Sequence, residues 1–249
     1  MINLSRIRLD REVGRWHLLG RRPRLWWRDD DARTPDDALE RLLRTAGGLP
    51  LSLAVIPDGA TPALAQRLER ESAVTVSQHG VDHRNHREPG APAGEYPLGA
   101  PIAQLVKSIL QGEQTLRDCG FDPRFYTPPW NRLDHTLVEA LQIAGLRSLS
   151  AWNEEQRELS TGLKRLDVHI DLLRWKNGAR FRGASQVMEC LRQQLAERRE
   201  TGDFERPIGL LTHHLDHDEA TWRFLRWFVD FARLRFEIGG YFDYVQASA

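Results

Sequence analysis

The chain has 249 residues, 41% of them apolar, enough to fill the core of one large α/β domain. Acidic and basic side chains balance at 35 each, which speaks against charge steering of the whole molecule towards nucleic acid or an anionic membrane. Only Cys119 and Cys190 occur, far apart and outside any CxxC pairing, which gives neither a disulfide framework nor a thiolate zinc site.

The first sixteen residues, MINLSRIRLDREVGRW, lack the continuous apolar run of an export signal, and no stretch has the length of a transmembrane helix. A cytoplasmic protein is the expectation. The basic segment 15–28, broken by Leu, Gly, Pro and Trp, reads as a solvated lead-in to the first strand. That strand, expected at 24–28, runs into Asp29, Asp30 and Asp31. Adjacent carboxylates repel, and burial raises their pKa values, so such a run is either a solvated turn or a site where a cation reverses the penalty. The sequence Thr34-Pro35-Asp36-Asp37 then supplies a cap, an N1 proline and acidic residues for a helix at 35–45, ended by Gly47 and Gly48. A strand at 51–56 and a helix at 61–71 follow.

The third strand, 74–77, leads into Gln78-His79-Gly80-Val81-Asp82-His83-Arg84-Asn85-His86. His79 and His83 are four apart, so in a helical turn they share a face and can grip one ion, and His86 could join them. A carboxylate with two imidazoles and open positions is the ligand set of a catalytic zinc or similar divalent ion. A Pro/Gly-rich loop at 91–100 holds Glu95, a further carboxylate that could reach the same cleft. After a helix at 102–119 and a strand at 124–127 comes Pro128-Pro129-Trp130-Asn131-Arg132. Two prolines stiffen this turn and fix the direction of the Trp130 N–H. An oxyanion-binding donor needs such a rigid loop.

A helix at 136–144, a strand at 148–152 and a strand at 165–170 follow, the last trailed by Asp171 and Trp175. His169 and Asp171 read as a satisfied polar pair under an aromatic lid. Beyond a helix at 184–199, the strand 208–212 ends in His213-His214-Leu215-Asp216-His217. Successive strand side chains face opposite ways, so one of His213 and His214 faces inward as an acid or base while the other is packed or solvated. Asp218 caps a helix at 218–234, whose Trp222, Leu225, Phe228, Val229 and Ala232 form a core stripe. A weaker strand is expected at 241–245. Alternation of this kind argues for parallel crossover units closing into a barrel, one domain over residues 1–249. The polar clusters follow the strands, the end at which such barrels carry their sites.

These motifs, in this order, resemble the polysaccharide deacetylase family (NodB-homology domain, carbohydrate esterase family 4-like), and RDDDA, HGxDHxNH and PPWNR look like a cytoplasmic-type subgroup. The resemblance covers residues 25–214. It implies an α/β fold, a distorted (β/α)7 TIM-like barrel of NodB-homology type, with one divalent metal ion, commonly zinc. It implies hydrolysis of an N-acetyl or similar acyl group from a carbohydrate. Carried onto this chain, Asp31, His79 and His83 would hold the metal and Asp30 would be the base. The Trp130 N–H would hold the oxyanion, with Asn131 and Arg132 beside the substrate. His213 would protonate the departing amine. Asp29, His86, Asp171, Trp175 and His214 would support these groups, and a register shifted to Asp29 and Asp30 stays open. Ala32 stands where glycine is usual, and Thr127 where an arginine orients the base, leaving Arg28 or Arg132 to substitute. The expected substrate is small or lipid-linked, not a cell-wall polymer. Two rivals stand beside this reading: a catalytically silent carbohydrate-binding relative, and a metallo-phosphoesterase using His86, His214 and His217 as extra ligands.

Overall fold

A computed structural model describes residues 4–153 and 162–245. The chain forms two compact units, one made of Asp29–Asp37 and Ser52–Asp167, the other of Met1–Arg28, Ala38–Leu51 and Val168–Ala249. Strand β1 (Arg24–Ala32) contributes its first half to the second unit and its carboxylate-bearing half to the first.

In the first unit the strands lie side by side in chain order: β1, β2 (Leu51–Val55), β3 (Val74–His79), β4 (Tyr126–Thr127), β5 (Ser148–Leu149) and β6 (Lys164–Arg165). From β3 to β6 the pairings are parallel, with His79 opposite Thr127 and Tyr126 opposite Leu149. Parallel neighbours need crossovers, and helices α3 (Pro62–Leu68), α4 (Ile102–Asp118) and α5 (His135–Ile143) belong to them. Helix α4 buries Leu105, Ile109 and Leu116 along one face, each worth roughly 1.5–3 kcal/mol of apolar burial. Caps set the helix starts. Thr61 and Asp134 place a side-chain oxygen on the N–H groups of Leu64 and Leu137.

The second unit holds helix α1 (Leu4–Leu18), α2 (Asp37–Ala46), α6 (Ala184–Thr201), α7 (Glu219–Arg235) and α8 (Tyr241–Val245). Its strands are β7 (Ile170–Asp171), β10 (Ile208–Thr212) and β11 (Glu237–Ile238), with a β8 (Leu173–Arg174) and β9 (Arg180–Phe181) hairpin apart from them. Strand β10 lies between β1 and β7, and β11 pairs with β1 in parallel. The stripe Trp222, Leu225, Phe228, Val229 and Ala232 on α7 is buried, as its spacing requires.

Three local expectations need correction. The three aspartates do not follow the first strand but lie within β1, with Asp29 and Asp30 buried. The strand expected at 165–170 is two short strands, because the buried Asp167 accepts from the Ala151 N–H at 2.8 Å and from Arg165 at 2.6 Å, which turns the chain between β6 and β7. Residues 241–245 are helix α8, with Tyr241, Tyr244 and Val245 buried at helical spacing and Asp243 accepting from the Gly240 N–H. The pairing with β1 falls instead to β11. The lead-in to β1 is exposed from 15 to 22 apart from Trp16, and it is preceded by helix α1, which has no counterpart in the sequence reading. In α1 Leu9, Val13 and Trp16 are buried and the Trp16 indole donates to the Leu195 carbonyl. Its Glu12 carboxylate receives Arg199 and Arg15, and these partners outweigh the cost of burial and lower its pKa. Among the described residues no helix is long and apolar enough to cross a membrane.

Candidate functional site

Among the described residues one cluster of potential metal ligands forms, in the first unit, where Asp31, His79 and His83 bring their ligand atoms within 4.8 Å of one another. The His79 and His83 Nε2 atoms lie 3.2 and 3.3 Å from the same Asp31 oxygen, Oδ1. Asp31 reaches this position with φ 77 at the end of β1, a left-handed conformation that is uncommon for a residue with a side chain. His79 ends β3, and its Nδ1 lies 3.0 Å from the Thr127 carbonyl across the sheet. A carbonyl only accepts, so Nδ1 carries a proton, and Nε2, which faces Asp31, is the ring nitrogen left to bind an ion when the ring is neutral and to donate to Asp31 when it is protonated. Burial opposes protonation of His79, but Asp30 and Asp31 outweigh it and raise its pKa. Burial and the neighbouring His79 lower the pKa of His83.

The His-x-x-x-His pair does not meet on a helix. His83 lies in a loop with φ 54, and Gly80 with φ 60 starts the turn that brings it back to His79. A Cβ at Gly80 would overlap the Glu95 carboxylate and the Pro129 ring, so only glycine fits. His86 does not join the cluster: its Nε2 pairs with Asp82 Oδ2 at 2.7 Å. Asp82 Oδ1 also accepts from the Arg84 N–H, and Arg87 is bonded to the Tyr96 carbonyl and to Asp134. These bonds give the HGVDHRNH stretch a folded loop of its own.

Pro128 and Pro129 open the turn after β4, so the Trp130 N–H is the first donor it offers. Trp130 and Asn131 both take positive φ, 53 and 54, and the Asn131 and Arg132 N–H groups close the turn on the proline carbonyls. The Trp130 ring, 36% exposed, lies 4.6 Å from the His83 ring, which places this turn beside the cluster. Thr127 is buried, with its hydroxyl on Ser77 at 3.0 Å. It packs inside the sheet, where an arginine would not fit without displacing that contact. Arg132 is exposed and Arg28 fully buried.

The second unit gathers His213, Asp171 and Trp175. His213 Nδ1 is 3.8 Å from Asp171 Oδ1, and the Trp175 ring meets the imidazole edge-on at 4.6 Å. The Trp175 indole donates to Asp171 Oδ2 at 2.8 Å, while Asp171 Oδ1 accepts from the Leu173 N–H. Burial raises the Asp171 pKa despite His213 and these donors. The neighbouring His214 is also buried, at the start of the short turn His214–Asp216, and both histidines lie beyond the end of β10 at Thr212, so strand alternation does not apply to them. His169 does not pair with Asp171. It accepts from the Gly209 N–H and faces Arg198, and burial followed by the charges of Arg198 and Arg206 lowers its pKa to about 3.

The Asp31, His79 and His83 donor set fits one divalent ion. It offers one carboxylate and two imidazoles, and the tautomer of His79 is already set by Thr127. Glu95, marked in the sequence for its reach, accepts from the Val81, Asp82 and His83 N–H groups, and nothing in a lone carboxylate of a Pro/Gly loop says which backbone it will meet.

No family model matches the sequence, and no curated protein matches it. Solved structures do. A family 4 acetyl xylan esterase from Clostridium thermocellum, in complex with a cobalt ion, aligns with TM-score 0.55 and 14% identity over 90% of this chain and 91% of that one. A peptidoglycan N-acetylglucosamine deacetylase, Bc1960, gives 0.56 and 14% over 90% and 88%. A family 4 carbohydrate esterase from Streptomyces lividans, in complex with acetate, gives 0.54 and 15% over 85% and 88%. Identities this low carry the architecture and not the reaction. On that footing the chain has the distorted TIM-like α/β barrel fold of the polysaccharide deacetylases.

Proposed function

We propose that this protein is a metal-dependent hydrolase that removes an N-acetyl or similar acyl group from a carbohydrate. The observation that carries the reading is the convergence of Asp31, His79 and His83 in a fold whose solved examples include acetyl esterases and an N-acetylglucosamine deacetylase. A zinc or similar ion held by those three residues would supply Lewis-acid polarisation of the acyl group and of the attacking water. The chain's own groups do the rest. Asp30, buried one residue before Asp31, accepts the proton of the attacking water. The Trp130 N–H donates to the oxyanion as the acyl carbon becomes tetrahedral, and Asn131 and Arg132 hold the sugar beside it. His213 protonates the departing amine, with Asp171 and Trp175 orienting its ring. Asp29 backs this strand end from a buried position.

A single three-ligand cluster among the described residues favours this reading over a two-metal phosphoesterase, since His86 is engaged with Asp82. The test is acetate release by zinc- or cobalt-loaded protein from N-acetylglucosamine, short chito-oligosaccharides, lipid-linked N-acetylated sugars and chitin, with phosphate release from phosphomonoesters as control. Acetate release that disappears in Asp30→Asn supports the proposal. One bound ion without turnover on any acylated sugar would establish the silent relative instead.

A further inference from the structure

The loop between the two histidines contains a feature that the proposed chemistry does not use. The N–H groups of Val81, Asp82 and His83 all point at one atom, Glu95 Oε1, at 2.7, 2.8 and 2.7 Å. Successive backbone N–H groups that converge in this way form an anion-binding concavity. Here the anion is supplied by the chain itself, from the Pro/Gly-rich loop twelve residues beyond His83. Glu95 is 6% exposed; burial raises its pKa, and the three N–H groups that it accepts from oppose that rise by favouring the carboxylate. On its other side the carboxylate and Pro129 both crowd Gly80, so the same side chain sits against the turn that carries Trp130.

We infer that Glu95 is a positioning residue for the metal centre: by closing its carboxylate over the Val81–His83 N–H groups it holds His83 in its left-handed conformation, with Nε2 turned to Asp31. The inference rests on the proposed metal-site reading and goes beyond it. The left-handed backbone at His83 is strained for a residue with a side chain and persists only where surrounding bonds hold it. Without an acceptor for its N–H groups the loop has a cheaper conformation in which His83 leaves the cluster. Two neighbouring contacts lock the same loop from behind. The Gln78 amide donates to the Gly80 carbonyl, and the Gly80 N–H donates to the Thr127 carbonyl that also fixes His79. Glu95 is the member of this set that bonds the His83 backbone directly, whereas the Thr127 carbonyl bonds the His79 ring, so the two histidines are held by different groups.

The test is cobalt(II) titration of metal-stripped protein, followed by visible absorption, for wild type, Glu95→Gln, Glu95→Ala and Asp31→Ala, with far-UV circular dichroism to establish folding. Supporting partners of metal ligands typically control affinity 10–100-fold. Glu95→Gln, which keeps the shape but loses the charge, should bind Co2+ about tenfold more weakly. Glu95→Ala should approach Asp31→Ala, and both Glu95 variants should show an altered ligand-field band as one imidazole is lost. Folded Glu95 variants with wild-type affinity and spectrum would overturn the inference while leaving the metal centre intact. Wild-type protein that takes up no Co2+ would overturn the metal reading itself, and this inference with it. If neither Glu95 variant folds, amide hydrogen exchange on metal-free wild type decides: protected Val81–His83 amides support the positioning role, and exchange at the rate of an open loop refutes it.

Discussion

At the scale of single residues, strain and charge collect where the chemistry is proposed. Asp31, His83, Trp130 and Asn131 all hold positive φ, a conformation that persists only where surrounding bonds over-determine it. Each of the four has a side chain or N–H with an assigned task. Asp31→Ala and His83→Ala should therefore each remove the bound ion, measured by metal analysis after dialysis, while leaving the fold intact. Asp30→Asn should keep the ion and lose on the order of 10²–10⁴ in kcat, since a positioned base contributes about that much. Retention of full activity in Asp30→Asn would move the base to Asp29 and shift the whole register by one. Trp175→Phe deletes the indole N–H that holds Asp171, so kcat should fall with little change in KM. A rise in KM alone would instead make Trp175 a substrate contact.

Elements answer to the side chains that interrupt them. His169 closes on Gly209 from backbone and ring together: its backbone N–H donates to the Gly209 carbonyl at 2.8 Å and its ring Nδ1 accepts from the Gly209 N–H at 2.9 Å, fastening the start of β7 to β10. Burial and the charges of Arg198 and Arg206 keep this ring neutral, with a pKa of about 3 against the ordinary 6.5. The unfolded chain therefore takes up the proton first as pH falls. Stability from the neutral ring is complete above the ordinary value and is lost progressively towards pH 3, at about 1.4 kcal/mol per pH unit. Urea unfolding of metal-free protein should show wild type losing about 2–3 kcal/mol more than His169→Gln between pH 6.5 and 4.5. Equal losses in the two proteins would mean that the ring is solvated and the β7–β10 junction is held otherwise.

For the whole molecule, an ion bound only by the folded chain must stabilise it by mass action. At a hundredfold excess over its dissociation constant, zinc should add about 2.7 kcal/mol and raise Tm, and the rise should vanish in Asp31→Ala. A Tm that is indifferent to zinc and cobalt in wild type would remove the metal from the mechanism.

Much of this was legible in the order of residues. Alternating apolar runs and capped amphipathic segments announce a parallel α/β chain, because burial on both sheet faces and helical periodicity are local properties. The strand at 208–212, the cap at Asp218 and the buried stripe of α7 were all readable on that basis. The carboxylate run and the spaced histidines were legible as a ligand set because their chemistry does not depend on the fold. Tertiary structure alone decided how they meet. The histidines converge through a left-handed loop and not a helix, since backbone N–H groups that find Glu95 outweigh local helical preference. His86 turned to Asp82, and Asp167 broke an expected strand, because a short-range bond competes with regular structure wherever it is available. Helix α1 was hidden by its charge, as few apolar residues are needed when Glu12 is satisfied by Arg15 and Arg199. Sequence fixes which groups are present and which local shapes are cheap. Which backbone a buried carboxylate will meet depends on segments brought together only by folding.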